Sequence, residues 1–150
     1  MAIEQYQKIY LYKRVVQAKL FIDSHYADNI DLNNIADEAY FSKYHFIRLF
    51  KNIYGKTPYH YLTQVRISIA KQLLTKNISI TEVCFQVGFG STTSFAALFK
   101  KLVGTSPSVF QQHQLKRKTE IASSPLHFIP NCFAETHGWK KNSNFKEVIM

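Results

Sequence analysis

The sequence predicts an all-α fold built from a repeated helix–turn–helix unit. Three observations predict it. Residues 46–58 read FIRLFKNIYGKTP and residues 95–107 read FAALFKKLVGTSP, sharing Phe, Leu-Phe-Lys, Gly and a final Pro at an offset of 49 residues. In each phrase the apolar residues step i, i+3, i+4, i+7, as Phe46, Leu49, Phe50 and Ile53, then as Phe95, Leu98, Phe99 and Leu102. That spacing marks one buried helical stripe. No stretch shows the strand-like alternation that would compete with it. Two copies also fall short of the roughly three that a solenoid requires.

The elements follow in order. Gln5 to about Ala27 reads as a helix without Gly or Pro, with Ile9, Tyr12, Val16, Leu20 and Asp23 at helical spacing. Val15, Ala18 and Ile22 broaden its apolar face. Leu32, Ile35, Ala36 and Ala39 fit one face of a short helix, with Asp31 a candidate cap. Ser42 caps the next helix, and Gly55 ends it where a left-handed residue costs least. Thr57-Pro58 then opens a linker helix through Leu74, with Leu62, Val65, Ile69 and Leu73 as its core face. Ile80, Val83, Cys84 and Val87 repeat the short helix at an offset of 48, so the second turn carries one extra residue. Ser91 caps the following helix, Gly104 stops it, and Ser106-Pro107 opens a last short helix to about Leu115.

At 150 residues with 46% hydrophobic and 15% aromatic content, the chain can build a core and is not a disordered segment. The formal charge is +9, and it is concentrated. Between residues 39 and 118 one acid, Glu82, faces twelve Lys and Arg, whereas residues 1–38 hold six acids and four bases. A basic middle of this kind suits a polyanionic partner. Cys84 and Cys132 make no disulfide framework and read as reduced thiols of a cytoplasmic protein. The amino terminus has no apolar signal core, and no run approaches the ~20 apolar residues of a membrane span.

A short helix, a tight turn and a second helix form the plan whose second helix enters the DNA major groove. With Phe46 pointing to the core and ~100° per residue, Tyr44, Arg48 and Lys51 point outward, with Lys43 and Ile47 on the flanks. Arg48 can fork onto guanine, and Ile47 can rest on a thymine methyl. The projection from Phe95 puts Thr93, Ala97 and Lys100 outward, with Thr92 and Ser94 beside them. These small hydroxyl and methyl groups allow close approach to base edges, but they lack the fork of an Arg and should discriminate less. The capped start at Ser91 can meet a phosphate, and Lys100 and Lys101 can hold the backbone.

Residues from about 9 to 115 resemble the DNA-binding domain of the AraC/XylS family of bacterial transcription regulators. The resemblance rests on IDLNNIADEAYFSKYHFIRLFKNIYGKTPYHYL, on RISIAKQLL, and on ISITEVCFQVGFGSTTSFAALFKKLVGTSPSVF. It implies seven helices, as two three-helix units (about 9–56 and 78–115) joined by a linker helix (about 57–74). It assigns base contacts to Tyr44, Ile47 and Arg48, and to Thr92, Thr93, Ser94 and Ala97, and the helical projection adds Lys43 to the first set. Phosphate contacts fall to Ser42, Lys51, Lys56, Ser91, Lys100 and Lys101. Two departures stand out: Tyr40 where the family usually has Gly, and Ala97 where some members carry a base-reading Arg. A left-handed Tyr40 would cost roughly 1–2 kcal/mol.

The resemblance to the short, MarA-type members implies a regulator that binds double-stranded DNA as a monomer, with activation the family's habit. RNA polymerase is a candidate partner, contacted by the tail if the tail does not dock on the body, and the residues point to no cofactor, membrane span or catalytic group. Residues 116–150 form an extension with a basic knot, Lys116, Arg117 and Lys118, and an apolar tail containing Leu126, Phe128, Ile129, Phe133, Trp139 and Phe145. Docking of the tail on the body is the expectation. His127, Cys132 and His137 lack an evident fourth zinc ligand beyond His113 or Glu135, so no metal site is expected. The rival reading is a protein-interaction module with generic DNA affinity, and a third is a thiol or metal enzyme of the DNA-repair kind.

Overall fold

The computed structural model describes residues 2–31, 33, 35 and 43–124, with side chains from residue 8 onward. Six helices are bounded within them: α1 Ala2–His25, α2 Lys43–Tyr54, α3 Pro58–Leu74, α4 Ile80–Gln86, α5 Thr92–Val103 and α6 Pro107–Ser123. No strand occurs among the described residues, as the all-α reading requires. Of the seventh expected helix, near 31–39, only residues 33 and 35 are helical and described, and the Asp31 carboxylate accepts the Asn33 N–H at 2.8 Å. Its other positions, the Tyr40 turn, the Ser42 cap and the tail from 125 onward lie outside the described residues.

The helix boundaries have local causes. Thr57 and Ser106 each accept a backbone N–H from three residues on, His60 and Val109, and each is followed by Pro at the first helical position. Ser91 caps α5 through the Ser94 N–H, and Ser79 caps α4 through the Glu82 N–H at 3.2 Å. Gly55 and Gly104 close α2 and α5 with positive φ, and their N–H groups reach the carbonyls of Lys51 and Lys100.

The helices bury two cores. The first unites Val15, Ala18, Ile22, Ile35, Phe46, Phe50 and Leu62. The second unites Ile67, Ala70, Leu74, Val83, Cys84, Val87, Phe89, Phe95 and Phe99. The helix α3 therefore gives Leu62 to one core and Ile67, Ala70 and Leu74 to the other. This corrects the single face expected from Leu62, Val65, Ile69 and Leu73, of which the last three are only half-buried. A helix lying between two bodies buries two sides, and one stripe cannot describe it.

Three further expectations change. In α1 the buried ridge is Val15, Ala18 and Ile22, whereas Ile9, Tyr12, Val16 and Leu20 are exposed. That helix carries two apolar ridges, and only one meets α2 and α3. In the stripes of α2 and α5 the Phe pairs are fully buried, Leu49 and Leu98 are half-buried, and Ile53 and Leu102 emerge. The last helix runs to Ser123, eight residues beyond the expected end at Leu115. The basic knot thus lies inside a helix. There Lys118 donates to the Thr75 carbonyl, Gln111 donates to the Ile78 carbonyl at 2.6 Å, and Lys116 pairs with Glu120 at 3.9 Å. The Lys118 and Gln111 bonds hold α6 along the end of α3 where no apolar period announces it, whereas the Lys116–Glu120 pair lies within α6.

Two side-chain clusters tie α1 to the rest. Asp23 accepts hydrogen bonds from Lys19, at 2.8 Å, and from the Tyr61 hydroxyl of α3. Partial burial pushes the Asp23 carboxyl up, but the bonds from Lys19 and Tyr61 more than offset it, and the group lies below its ordinary value. At the other contact Gly88 has φ +95°, and a Cβ there would come within 2.8 Å of the Tyr26 carbonyl oxygen and 2.9 Å of that of Ala27. Only hydrogen fits.

Gly88→Ala should lower the unfolding free energy in urea by about 2–4 kcal/mol, combining left-handed strain with overpacking. Gly90→Ala, whose Cβ would meet open space, should change it by less than about 0.5 kcal/mol. A near-neutral Gly88→Ala would show that the α1 contact yields freely. Because the folded Asp23 carboxyl is depressed, its stabilisation is present above its ordinary pKa of about 4 and is lost as pH falls through the lower folded value. Asp23→Asn should therefore unfold with a shallower pH dependence below about pH 4 than the parent chain, read from thermal melts.

Candidate nucleic-acid interface

The first outward face is carried by α2. Phe46 and Phe50 anchor this helix with ring centroids 5.9 Å apart, and Phe50 meets Tyr61 of α3 edge-on at 5.7 Å. With that side fixed, the helical period turns Lys43, Tyr44, Arg48 and Lys51 outward, and all four are exposed. Tyr44 is 76% exposed, an unusual position for a ring that a fold could otherwise bury. Ile47 is half-buried at the margin. The surface thus combines a flat ring, a guanidinium fork and two ammonium groups.

The second outward face is carried by α5. Phe95 and Phe99 sit fully buried with centroids 5.8 Å apart, and Phe99 packs on Phe110 of α6 at 5.4 Å. Thr92, Thr93, Ser94 and Ala97 are exposed along the opposite side, followed by Lys100 and Lys101. Ser91 is exposed too, but its hydroxyl already accepts the Ser94 N–H at 3.4 Å. Its role is helix capping first. The backbone N–H groups of the first turn beyond it remain the anion-attracting feature of this end.

Lys56 is half-buried, and its ammonium donates to Gln64 Oε1 on α3. It therefore lies along the linker helix. There it lines a cleft of about 320 Å³ with Tyr59, His60, Gln64, Leu98, Lys101 and Leu102. The cleft runs between the first turns of α3 and the second half of α5. The described residues from 43 to 124 include only two acids, Glu82 and Glu120. Glu82 accepts from Gln86 on α4 and Glu120 pairs with Lys116 on α6, so neither acid lies on α2 or α5. Of the sequence-derived DNA-contacting residues, Ser42 alone lies outside the described residues; Lys56 lies in the turn before α3, and the rest fall into two separate sets, one on α2 and one on α5 with its Ser91 cap.

Arg66 was not singled out by sequence reasoning. Its Nε donates to the Tyr26 carbonyl at 2.6 Å and one terminal nitrogen donates to the Asp28 carbonyl at 2.9 Å. Its guanidinium carbon lies 5.6 Å from the Phe89 ring centre. The available signal was a cation set between the apolar neighbours Val65 and Ile67 in mid-helix. Cys84 is fully buried, and burial pushes its thiol up, which suits the core residue expected and not a nucleophile. His45, His60 and His113 are exposed. No cluster of three metal-ligating side chains occurs among the described residues, and none of their helices is long and apolar enough to cross a membrane. The His127, Cys132 and His137 set lies outside them.

A family model described as a helix-turn-helix domain matches residues 35–113. The bifunctional transcriptional activator/DNA repair enzyme AdaA of Bacillus subtilis is 35% identical over 100 residues, 66% of this chain and 47% of that protein. The chain thus spans about half the length of this relative. The transcriptional activator AarP of Providencia stuartii is 31% identical over 93 residues, 61% of this chain and 69% of its own length. Among solved structures, the DNA-binding domain of AdpA, a global transcriptional factor crystallised with a target DNA, superposes with a TM-score of 0.67 at 26% identity. That match covers 71% of this chain and 96% of the other. With that family model matching more than half of its length, the chain belongs to the AraC/XylS family of helix-turn-helix transcription regulators.

Proposed function

We propose that this chain regulates transcription by binding double-stranded DNA in a sequence-specific manner, with α2 and α5 in successive major-groove segments about one helical turn, ~34 Å, apart. The observation that carries the reading is the duplicated helix with a buried Phe pair behind and an exposed, acid-free, lysine-flanked face in front. Such a face has no folding role to explain it. Lys43, Tyr44, Ile47 and Arg48 read bases in the first segment, and Arg48 supplies the fork that discriminates guanine. Thr92, Thr93, Ser94 and Ala97 read the second through methyl and hydroxyl contacts, with weaker discrimination. Lys51, Lys56, Lys100 and Lys101 hold phosphates, with Ser42 and Ser91 at the helix starts.

In this reading one copy binds one bipartite site, the outcome is activation through contact with RNA polymerase, and the protein acts in the cytoplasm without a cofactor. The family's named activators support this direction. A second reading is favoured by the exposed apolar ridge of α1, where Ile9, Tyr12, Val16 and Leu20 face outward. There the scaffold serves chiefly to bind another protein, and DNA affinity is generic.

Selection from random duplex DNA at ~150 mM salt, followed by sequencing, separates the two, because weak phosphate binding is suppressed at that salt. Two short motifs one turn apart, the first sharper, are expected. Loss of binding without any enriched motif would remove the regulator reading. On the selected site, Arg48→Ala should cost about 1–3 kcal/mol and relax choice at one base pair, as read by competition with single-substituted duplexes. A uniform loss on all duplexes would deny Arg48 a base. Lys100→Ala and Lys101→Ala should each weaken binding evenly and reduce the salt slope of log K by about 1.

A further inference from the structure

A two-part site is read well only if the two reading helices keep one separation and one rotational phase. Adjacent base pairs differ by roughly 3.4 Å along the axis and ~35° around it. The shared helix α3 gives the two units a common axis. A helix packed on by two bodies still permits each body to roll about that axis unless something off the axis stops it.

One off-axis contact meets this need. The chain leaving α1 belongs to the first unit, and its Tyr26 and Asp28 carbonyls each accept an N–H from the Arg66 guanidinium, one from Nε and one from a terminal nitrogen. The same guanidinium lies against Phe89, in the turn that launches α5. Next to it Gly88 backs onto the Tyr26 and Ala27 carbonyls so closely that a methyl group would collide with the main chain. Phe89 in turn meets Phe95, the first buried residue of α5, with ring centroids 5.3 Å apart. The path from the end of α1 to the base of the second reading helix is therefore Arg66 and Gly88, then Phe89, then Phe95. Each step is a hydrogen bond to main chain or a van der Waals contact with little play.

We propose that Arg66 and Gly88 set the separation and phase of the two reading helices, and so determine which spacing between half-sites the protein accepts. Neither residue contacts DNA in this account. They are positioning residues, acting through Phe89 on α5. The inference rests on the reading of α2 and α5 as the two DNA-contacting helices.

The test uses the full chain and the operator from the selection, rebuilt with the half-sites moved by −1, +1 and +2 base pairs, together with a duplex that keeps only the first half-site. Thermal melts report whether each variant is folded. The parent chain should lose ~30-fold for a one-base-pair change, a loss comparable to a mismatched pair. Arg66→Met keeps an apolar stem over Phe89 and removes both donors. It should bind the native spacing about tenfold more weakly, lose less than about fivefold on moving one base pair, and hold the half-site duplex within about twofold. If Arg66→Met melts below the assay temperature, Phe89→Leu takes its place, with the same flattening expected from loss of the ring contact alone. A folded variant with the parent's sharp spacing profile overturns the proposal. So does an equal loss on the half-site duplex, which would mean the first reading surface itself had been damaged. A parent chain indifferent to spacing overturns it differently, because the two-helix reading then fails as well.

Discussion

Everything in this fold hangs on one helix that belongs to two cores. From Pro58 to Leu74, α3 inserts Leu62 among Phe46 and Phe50, then Ile67, Ala70 and Leu74 among Val83, Phe95 and Phe99. Bodies of about fifty residues bury too little surface to be robust alone. Sharing a wall lets each complete its core with side chains that the other also holds in place. The helix is secured at both ends accordingly. Thr57 and Pro58 fix its start, and Lys118 and Gln111 of α6 occupy the carbonyls around its end at Thr75, Lys76 and Ile78. Electrostatics contributes at one further point, where the Asp23 carboxylate joins α1 to Tyr61.

The sequence disclosed what is local and periodic. The Phe pairs of α2 and α5, the stops at Gly55 and Gly104, and the starts at Thr57-Pro58, Ser91 and Ser106-Pro107 all depend on neighbours three or four residues away, and all are found as read. The exposure of Tyr44, Arg48, Thr93 and Ala97 follows from the same periodicity. What stayed hidden involves partners distant in the chain. Arg66 bonds to main-chain carbonyls some forty residues earlier, and a carbonyl carries no residue-type signature. The α1 ridge could not be chosen because Val15-Ala18-Ile22 and Ile9-Tyr12-Val16 are both apolar, and only packing selects one. The length of α6 was invisible because Lys116 to Ser123 has no apolar period, and its anchors are again carbonyls.

The two outward faces are unequal in a way that the fold itself does not demand. Both sit on twelve-residue helices with matching buried pairs and matching glycine stops. One presents a ring and a guanidinium, long groups that span a gap and fix direction. The other presents hydroxyls and methyls, short groups that work only at close range. On the proposed reading the first face supplies most of the choice of sequence, and the second supplies fit, with lysines at the far end of each helix for the backbone.

The buried Phe pairs have a consequence for the history of such a protein. Each holds its helix from behind, so the exposed positions in front, Tyr44, Arg48, Thr93 and Ala97, lie outside both cores. Substitutions at Tyr44, Arg48, Thr93 or Ala97 are therefore free of the compromise that burdens most functional residues, which must serve stability as well. On the proposed reading, the DNA-contacting surface can be retargeted one side chain at a time on an unchanged scaffold. If the two helices bind as proposed, one half can hold the protein on its site while the other is rewritten.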